Sequence, residues 1–299
     1  MITQLENCSV GSPITRQGVS LFPVYVHQRS ISVMGGGAES VRVTERERAD
    51  VPSLLVDNPN QSHVLIAEGE TLSGGRQNRL MNVSVLVPAQ TQIEVPVSCV
   101  EAGRWNGGTV FGRAHSVAPR RVRRGTAVSV TRNLRSHNSR HSDQSLVWEM
   151  VDYELRAGGV QSETRALSEL SAREQREDAL SQSIEELINK GPLPGQSGIV
   201  VSFGSRVVAA DVFATSELLR ENWASLIRGY LLEARGTVRG TPSATKALGF
   251  LKEASKRVVS VAPGVGLGDE YRIESSKIAG QALILDDVLV HASAFALAA

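Results

Sequence analysis

Carboxylates, guanidinium forks and glycines crowd one stretch of this chain: Glu68-Gly69-Glu70, then Ser73-Gly74-Gly75-Arg76-Gln77-Asn78-Arg79, then Glu101-Ala102-Gly103-Arg104-Trp105. Carboxylates accept hydrogen bonds from sugar hydroxyls or take protons, arginines grip phosphate or carboxylate with two bonds at once, and paired glycines let the backbone approach a ligand closely. That is the chemistry of a polar small-molecule site. Glu68 and Glu101 are the candidate acid and base. Arg76, Arg79 and Arg104 are candidates for holding phosphate, and Gln77 and Asn78 for reading hydroxyls or amides. Glu70, Gly74, Gly75 and Trp105 complete the expected binding set, the tryptophan by stacking a base or holding a guanidinium through a cation–π contact.

Each group also has a plainer reading. Glu68 and Glu70 face the same side if the strand runs on, where mutual repulsion would split their pKa values, and diverge if Gly69 bends it. Alternatively they accept charge-assisted bonds from Arg76 and Arg79 across the glycine-rich loop. Trp105 reads equally as a buried anchor with an ion pair at its edge. Three residues form a second rank. Asp211 lies inside the apolar string AADVF, where a carboxylate must find a partner or point into a cleft. His291, in LVHASAF, reads as a satisfied structural histidine or a site-lining one. His115 suits acid or base work, with no carboxylate near it in sequence to orient it.

Other chemistries lack their signatures. The loop after Ser73 has neither the glycine spacing nor the Gly-Lys-Ser/Thr ending of a P-loop. Gly264-Val265-Gly266-Leu267-Gly268 lacks the dinucleotide-binding spacing and reads as a turn. No nucleophile elbow is present. His137 and His141 are four apart, but the serines and Asn138 around them predict a loop and no third ligand is evident, so no metal site is assigned and no cofactor is identified.

The whole chain of 299 residues, with a net charge of +1 and 41% hydrophobic residues, is ordinary for a globular protein and long enough for a substantial core. Its charge is unevenly spread: residues 113 to 140 hold eight arginines and no acidic residue, leaving −7 elsewhere against the total of +1. No aromatic residue lies between 112 and 147 to stack bases, so nucleic acid is disfavoured. Pairing with the acidic segment Glu163 to Glu186 is the expected use of this run. Cys8 and Cys99 have neither disulfide-framework nor zinc spacing and are expected to be reduced. With no signal-like or bilayer-length apolar stretch, a soluble cytoplasmic protein without membrane contact is expected, a protein partner or homo-oligomer being left open.

The elements that must position these residues point to an α+β fold in one unit, residues 1–299. Residues 1–141 read as β-rich, from the Val- and Thr-rich runs Gly18 to Val26, Val51 to Val56, Val64 to Ala67, Val83 to Val87 and Gln92 to Val97. Residues 142–195 read as helical, with Asp143 capping one helix and a second running from about Ser162 to Asn189. Residues 196–299 are mixed and strand-rich. There, Ser197 to Phe203 and Arg206 to Phe213 form a hairpin around Gly204-Ser205, helices cover Ser216 to Ala234 and Ser243 to Ser255, and short strands follow.

In this order the strings VLIAEGETLSGGRQNR, SVLVPA, VPVSCVEAGRW, LVWEMV, GIVVSFGSRVVAADVF and VHASAF resemble the ARG and Rhodanese-Phosphatase-superfamily-associated protein domain family, nearly end to end. The resemblance implies a place in prokaryotic metabolism or signalling of NAD-derived ADP-ribose compounds. It supplies no catalytic assignment. Together with the side-chain chemistry it yields two expectations: a protein that binds, and hydrolyses or transfers part of, a small ADP-ribose-like or other phosphorylated nucleotide, or a non-catalytic ligand sensor or interaction module in the same pathway. A third expectation, in which the charged strings are internal ion-pair networks and no ligand is bound, follows from the residues alone.

Overall fold

Val, Leu and Thr alternating between Gly, Pro and Asn punctuation pack well on a pleated surface and make the first part of the chain strands rather than helices. The computed structural model describes residues 1–47, 50–234 and 240–297, with the backbone alone at 178–180. After the one-turn helix α1 (Thr3–Glu6) come β1 (Ser9–Val10), β2 (Ile14–Arg16), β3 (Val19–Tyr25), β4 (Val33–Met34), β5 (Arg42–Thr44) and β6 (Ser53–Asn58). Next are β7 (His63–Ile66), β8 (Glu70–Gly74), β9 (Arg79–Met81), β10 (Val85–Val87), β11 (Thr91–Cys99) and β12 (Val110–Val117). Four helices intervene: α2 (Arg120–His137), α3 (Gln144–Ala157), α4 (Ser168–Arg176) and α5 (Asp178–Ile188). The chain continues with β13 (Gly198–Phe203), β14 (Arg206–Phe213), α6 (Ser216–Leu231), α7 (Ala244–Lys256), β15 (Val258–Pro263), β16 (Asp269–Glu274), β17 (Ile278–Leu285) and β18 (Val288–Ala296).

Among the described residues these strands make a closed barrel in the order β11-β6-β5-β12-β8-β9, a small sheet β10-β7-β4, and a nine-stranded sheet β1-β3-β13-β14-β18-β17-β16-β15 with β2 also on β3. The architecture is α+β. Val43, Leu54, Val56, Leu72, Val95, Val97 and Phe111 fill the barrel core. The large sheet is covered on both faces. Leu219, Trp223 and Ile227 of α6 join Phe213 and Phe295 in one core, and Ala247, Leu251 and Ala254 of α7 join Phe22, Val212 and Leu289 in the other. Each fully buried Leu or Phe contributes about 1.5–3 kcal/mol of transfer free energy.

The hairpin β13–β14 forms with its turn at Gly204-Ser205, where Gly204 takes φ +57°. Asp143 caps α3 as expected, its Oδ1 accepting from the amides of Ser145 at 3.0 Å and Leu146 at 3.2 Å. The segment Gly264 to Gly268 is a turn between β15 and β16, closed by the Gly264 amide on the Gly268 carbonyl.

Three expectations need correction. The single helix expected from Ser162 to Asn189 is two, because Glu177 takes an extended conformation between α4 and α5. The stretch expected as β-rich to residue 141 ends its strands at Val117, and its arginine-rich part is the helix α2 of 18 residues. Arginine is a good helix former, and Val122, Ala127, Val130 and Leu134 give α2 a buried apolar stripe. His137 is therefore the last helical residue and His141 lies beyond the Asn138 cap, so the pair does not share a helix face. The partners of the arginine run also differ from expectation. They are Glu70, Glu233, Glu154, Glu68 with Asp211, Glu274 and Glu270, rather than the acidic helices, whose Glu174 and Glu185 are taken by Arg228.

Candidate functional site

Glycine at position 69 decides where the two neighbouring carboxylates go. Its φ of +83° turns the chain between β7 and β8, and a Cβ there would come within 2.3 Å of Arg123 Nε. Glu68 and Glu70 consequently diverge. Glu68 Oε2 receives Arg123 Nη2 at 3.0 Å and the Ser293 hydroxyl at 2.8 Å. The same Arg123 reaches Asp211 with Nη2 at 2.6 Å and Nη1 at 3.2 Å, and Tyr230 donates its hydroxyl to Asp211 Oδ2. His291 Nε2 lies 3.4 Å from Asp211 Oδ1, while its Nδ1 is 2.7 Å from the Ser84 hydroxyl. Ser84 Oγ also accepts the Glu68 amide at 3.1 Å, so the serine links His291 to the backbone of the turn. Everything in this cluster is at least 97% buried. Burial alone would raise the Asp211 carboxyl, but Arg123 and His291 outweigh it and hold it well below the usual carboxylate range. The cluster ties the turn after β7 to α2, α6, β14 and β18.

Glu70 goes elsewhere. It accepts the Ala38 amide at 2.7 Å and has Arg113 Nε at 3.6 Å, and burial, only partly offset by Arg113, raises its carboxyl above the usual range. Arg79 is fully enclosed, its Nη1 donating to the Gln77 carbonyl at 3.0 Å and its Nη2 standing 3.8 Å from Glu45.

Glu101 and Arg104 form a two-point pair, Nε to Oε1 at 2.9 Å and Nη2 to Oε2 at 2.7 Å. Glu101 further accepts the Asn78 amide at 3.1 Å and the Thr164 hydroxyl at 3.0 Å, while Gln77 donates to its carbonyl at 2.9 Å. Although burial works against ionisation, Arg104, Asn78 and Thr164 together lower its carboxyl. Arg104 also donates to the carbonyls of Gly75 at 2.8 Å, Asn106 at 2.8 Å and Gly74 at 3.2 Å. Its donors are thus spent on fixing the loop from Gly74 to Asn78. Outside that clamp, Arg76 is exposed and sits 5.6 Å from the ring centre of Trp105, which is 46% exposed rather than a buried anchor.

The other opening in this neighbourhood comes from a bulge. Strand β12 pairs Arg113 with Leu72 but Val117 with Glu70, so three residues, Ala114, His115 and Ser116, stand opposite the single Thr71. Thr71 braces the bulge by donating its hydroxyl to the Ser116 carbonyl. Extra residues of this kind re-aim side chains. Here they turn His115 and Ser116 toward α4, whose Ser168, Ser171 and Gln175 recur at helical spacing, and a cavity of about 190 Å³ lies between. Ser73, Asn78, Leu72, Val100, Leu167 and Leu232 also line it. Ser116 and Ser171 hydroxyls meet at 2.9 Å, and Asn78 Nδ2 donates to Ser168 at 3.3 Å. The wall holds hydroxyls, amides and one imidazole, and neither a carboxylate nor a guanidinium. His115 stands exposed at the rim, its pKa lowered by partial burial and by Arg228.

The structure therefore gathers Asn78 and His115 at one cavity, with Glu101, Arg104 and Gln77 one contact behind Asn78. It separates Glu68, Asp211 and His291 into the buried cluster, and Glu70 and Arg79 into two further buried pairs. Sequence reasoning missed Arg123, Tyr230 and Ser293, which sit 55 or more residues from Glu68 along the chain. It also missed Ser116, Ser168, Ser171 and Gln175, although the i, i+3, i+7 spacing of the last three marks one polar face of a helix. Among the described residues no group of three or more His, Cys, Asp or Glu is placed to hold a metal ion, and no helix is long and apolar enough to cross a membrane. Cys8 and Cys99 are free thiols, both buried.

A family model described as ARG and Rhodanese-Phosphatase-superfamily-associated Protein domain matches residues 7–295. No curated protein and no solved structure matches the chain significantly.

Proposed function

The chain belongs to that family, and we propose that it is a ligand-binding module of the pathway the family name records, seating the uncharged part of an ADP-ribose-like ligand, a ribose or a base, in the cavity beside His115. One observation carries this reading: the cavity wall offers neutral donors and acceptors, while the two candidate catalytic carboxylates, Glu68 and Glu101, are each locked on an arginine and turned to other partners. A neutral hydroxyl- and amide-lined wall satisfies sugar hydroxyls or a base edge without burying an unpaired charge. A volume of about 190 Å³ is below the usual range of whole-ligand sites, so the cavity takes a fragment and the remainder lies outside the rim.

Incubation with NAD, ADP-ribose, adenosine and ribose, followed by thermal shift and mass spectrometry, tests this. The expected result is stabilisation by adenosine or ribose, which carry no phosphate, with the mass of every compound unchanged and the effect of these two abolished by Ser171→Leu, which fills the cavity. Loss of parent mass, or stabilisation by adenosine or ribose that survives Ser171→Leu, would overturn it.

One observation favours the enzymatic alternative. His115 is at the rim with its pKa lowered, so its imidazole is neutral near pH 7 and available as a general base. That reading predicts turnover that disappears in His115→Gln.

A further inference from the structure

Of the arginines expected to hold phosphate, Arg79 and Arg104 are spent internally and Arg76 does not line the His115 cavity, while other exposed cations gather at a separate groove. Strands β14, β18 and β17 are neighbours in the large sheet and end together, Arg206 opening β14, Lys277 preceding β17 and Ala296 closing β18. Arg206 and Lys277 flank β18 and are two strand spacings apart, roughly 10 Å, within the joint reach of two long side chains. Helix α7 lies against this sheet and brings Lys246, from its first turn, to the same place. A groove of about 730 Å³ runs between them, floored by Phe250 and Ile278. All three cations are exposed, and no carboxylate pairs with any of them among the described residues. The one acid on the groove, Glu253, is engaged by Arg257 at 2.7 Å.

We propose that this groove binds a small organic polyphosphate, its phosphates on Arg206, Lys246 and Lys277 and an apolar ring on Phe250. The charge pattern selects the ligand: three cations converging from three elements complement two or more phosphate charges better than one carboxylate, and the arginine fork suits phosphate oxygens. The half-buried phenyl ring offers a face for a base or other ring. The groove volume falls in the range of sites that hold complete small ligands. This site is separate from the His115 cavity and stands whether or not that reading holds.

Calorimetric titration of the full chain with inorganic pyrophosphate and with ADP, at about 50 mM and about 200 mM salt, decides the matter. Both probes are expected to bind, ADP more tightly, and both more weakly at the higher salt as screening increases. The double variant Lys246→Gln/Lys277→Gln, whose side chains are exposed and whose melting temperature should match the parent, is expected to lose at least tenfold in affinity for both. Phe250→Ala should remove the advantage of ADP over pyrophosphate, and Ser171→Leu should leave pyrophosphate binding unchanged. No binding of pyrophosphate at millimolar concentration, or pyrophosphate binding that the double variant retains, would overturn the proposal.

Discussion

Two arginine–carboxylate clusters that look alike as residue types do different work because of where their partners come from. At Arg104 the carboxylate is three residues away, the other partners are loop carbonyls, and the side chain keeps 23% of its surface. At Arg123 the carboxylates come from 55 and 88 residues away, and the side chain keeps 1%. The first is a local staple that shapes a rim. The second joins the barrel side to both helices and the large sheet, in surroundings where a lone charge has no water to fall back on. A charged motif read from sequence thus says that charge will be satisfied, while its consequence depends on the distance over which the fold supplies the partner.

Substitution should break this contrast most visibly at Arg123. Arg123→Met leaves Glu68 and Asp211 as buried carboxylates without their cation, and the unfolding free energy in urea should fall by about 3–5 kcal/mol. Equal losses at Arg123 and Arg104 would remove the distinction.

Acid should act on the same cluster next. Asp211 is ionised more readily in the folded than in the unfolded chain, so its stabilisation is complete above about pH 4, the ordinary carboxylate value, and drains as pH falls toward the lower folded-state value. Denaturant unfolding measured from about pH 5 downward should show a loss that is shallower in Asp211→Asn, whose stability is already reduced at neutral pH.

At the local staple the expected effect is smaller. Glu101→Gln keeps the shape but turns a two-point ion pair at a partly exposed site into ordinary hydrogen bonds, for a loss of about 1 kcal/mol in the same urea experiment. A loss as large as that at Arg123 would mean that the rim and the core seam are one unit.

The contrast also explains what could be read in advance. The β13–β14 hairpin, the Asp143 cap and the turn at Gly264 to Gly268 follow from side chains adjacent in sequence. Helix α2 did not, because its arginines read as a basic run awaiting the acidic segment Glu163 to Glu186 within residues expected to be β-rich, whereas Arg120 and Arg123 are buried on other carboxylates. Barrel closure rests on β12 pairing back to both β5 and β8, contacts with no local signature. At the candidate site, Asn78 was visible as a reader of hydroxyls or amides and His115 as an acid or base with no carboxylate near it in sequence. The bulge that brings Ser116 beside Ser171 depends on a register shift that no single strand announces. Gly69 was legible as a choice between two geometries, and only the long-range partner Arg123 decided it.

Thermal shift with adenosine, which carries no phosphate for the Arg206–Lys246–Lys277 groove, on three forms of the protein, the parent, Ser171→Leu and Glu101→Gln, tests most directly the claim that the charged strings build the structure while the hydroxyl-lined cavity holds the ligand. The account predicts stabilisation of the parent and of Glu101→Gln, each relative to its own unliganded melting temperature, and none of Ser171→Leu. Stabilisation lost in Glu101→Gln but kept in Ser171→Leu would contradict it and return the ligand to the carboxylates.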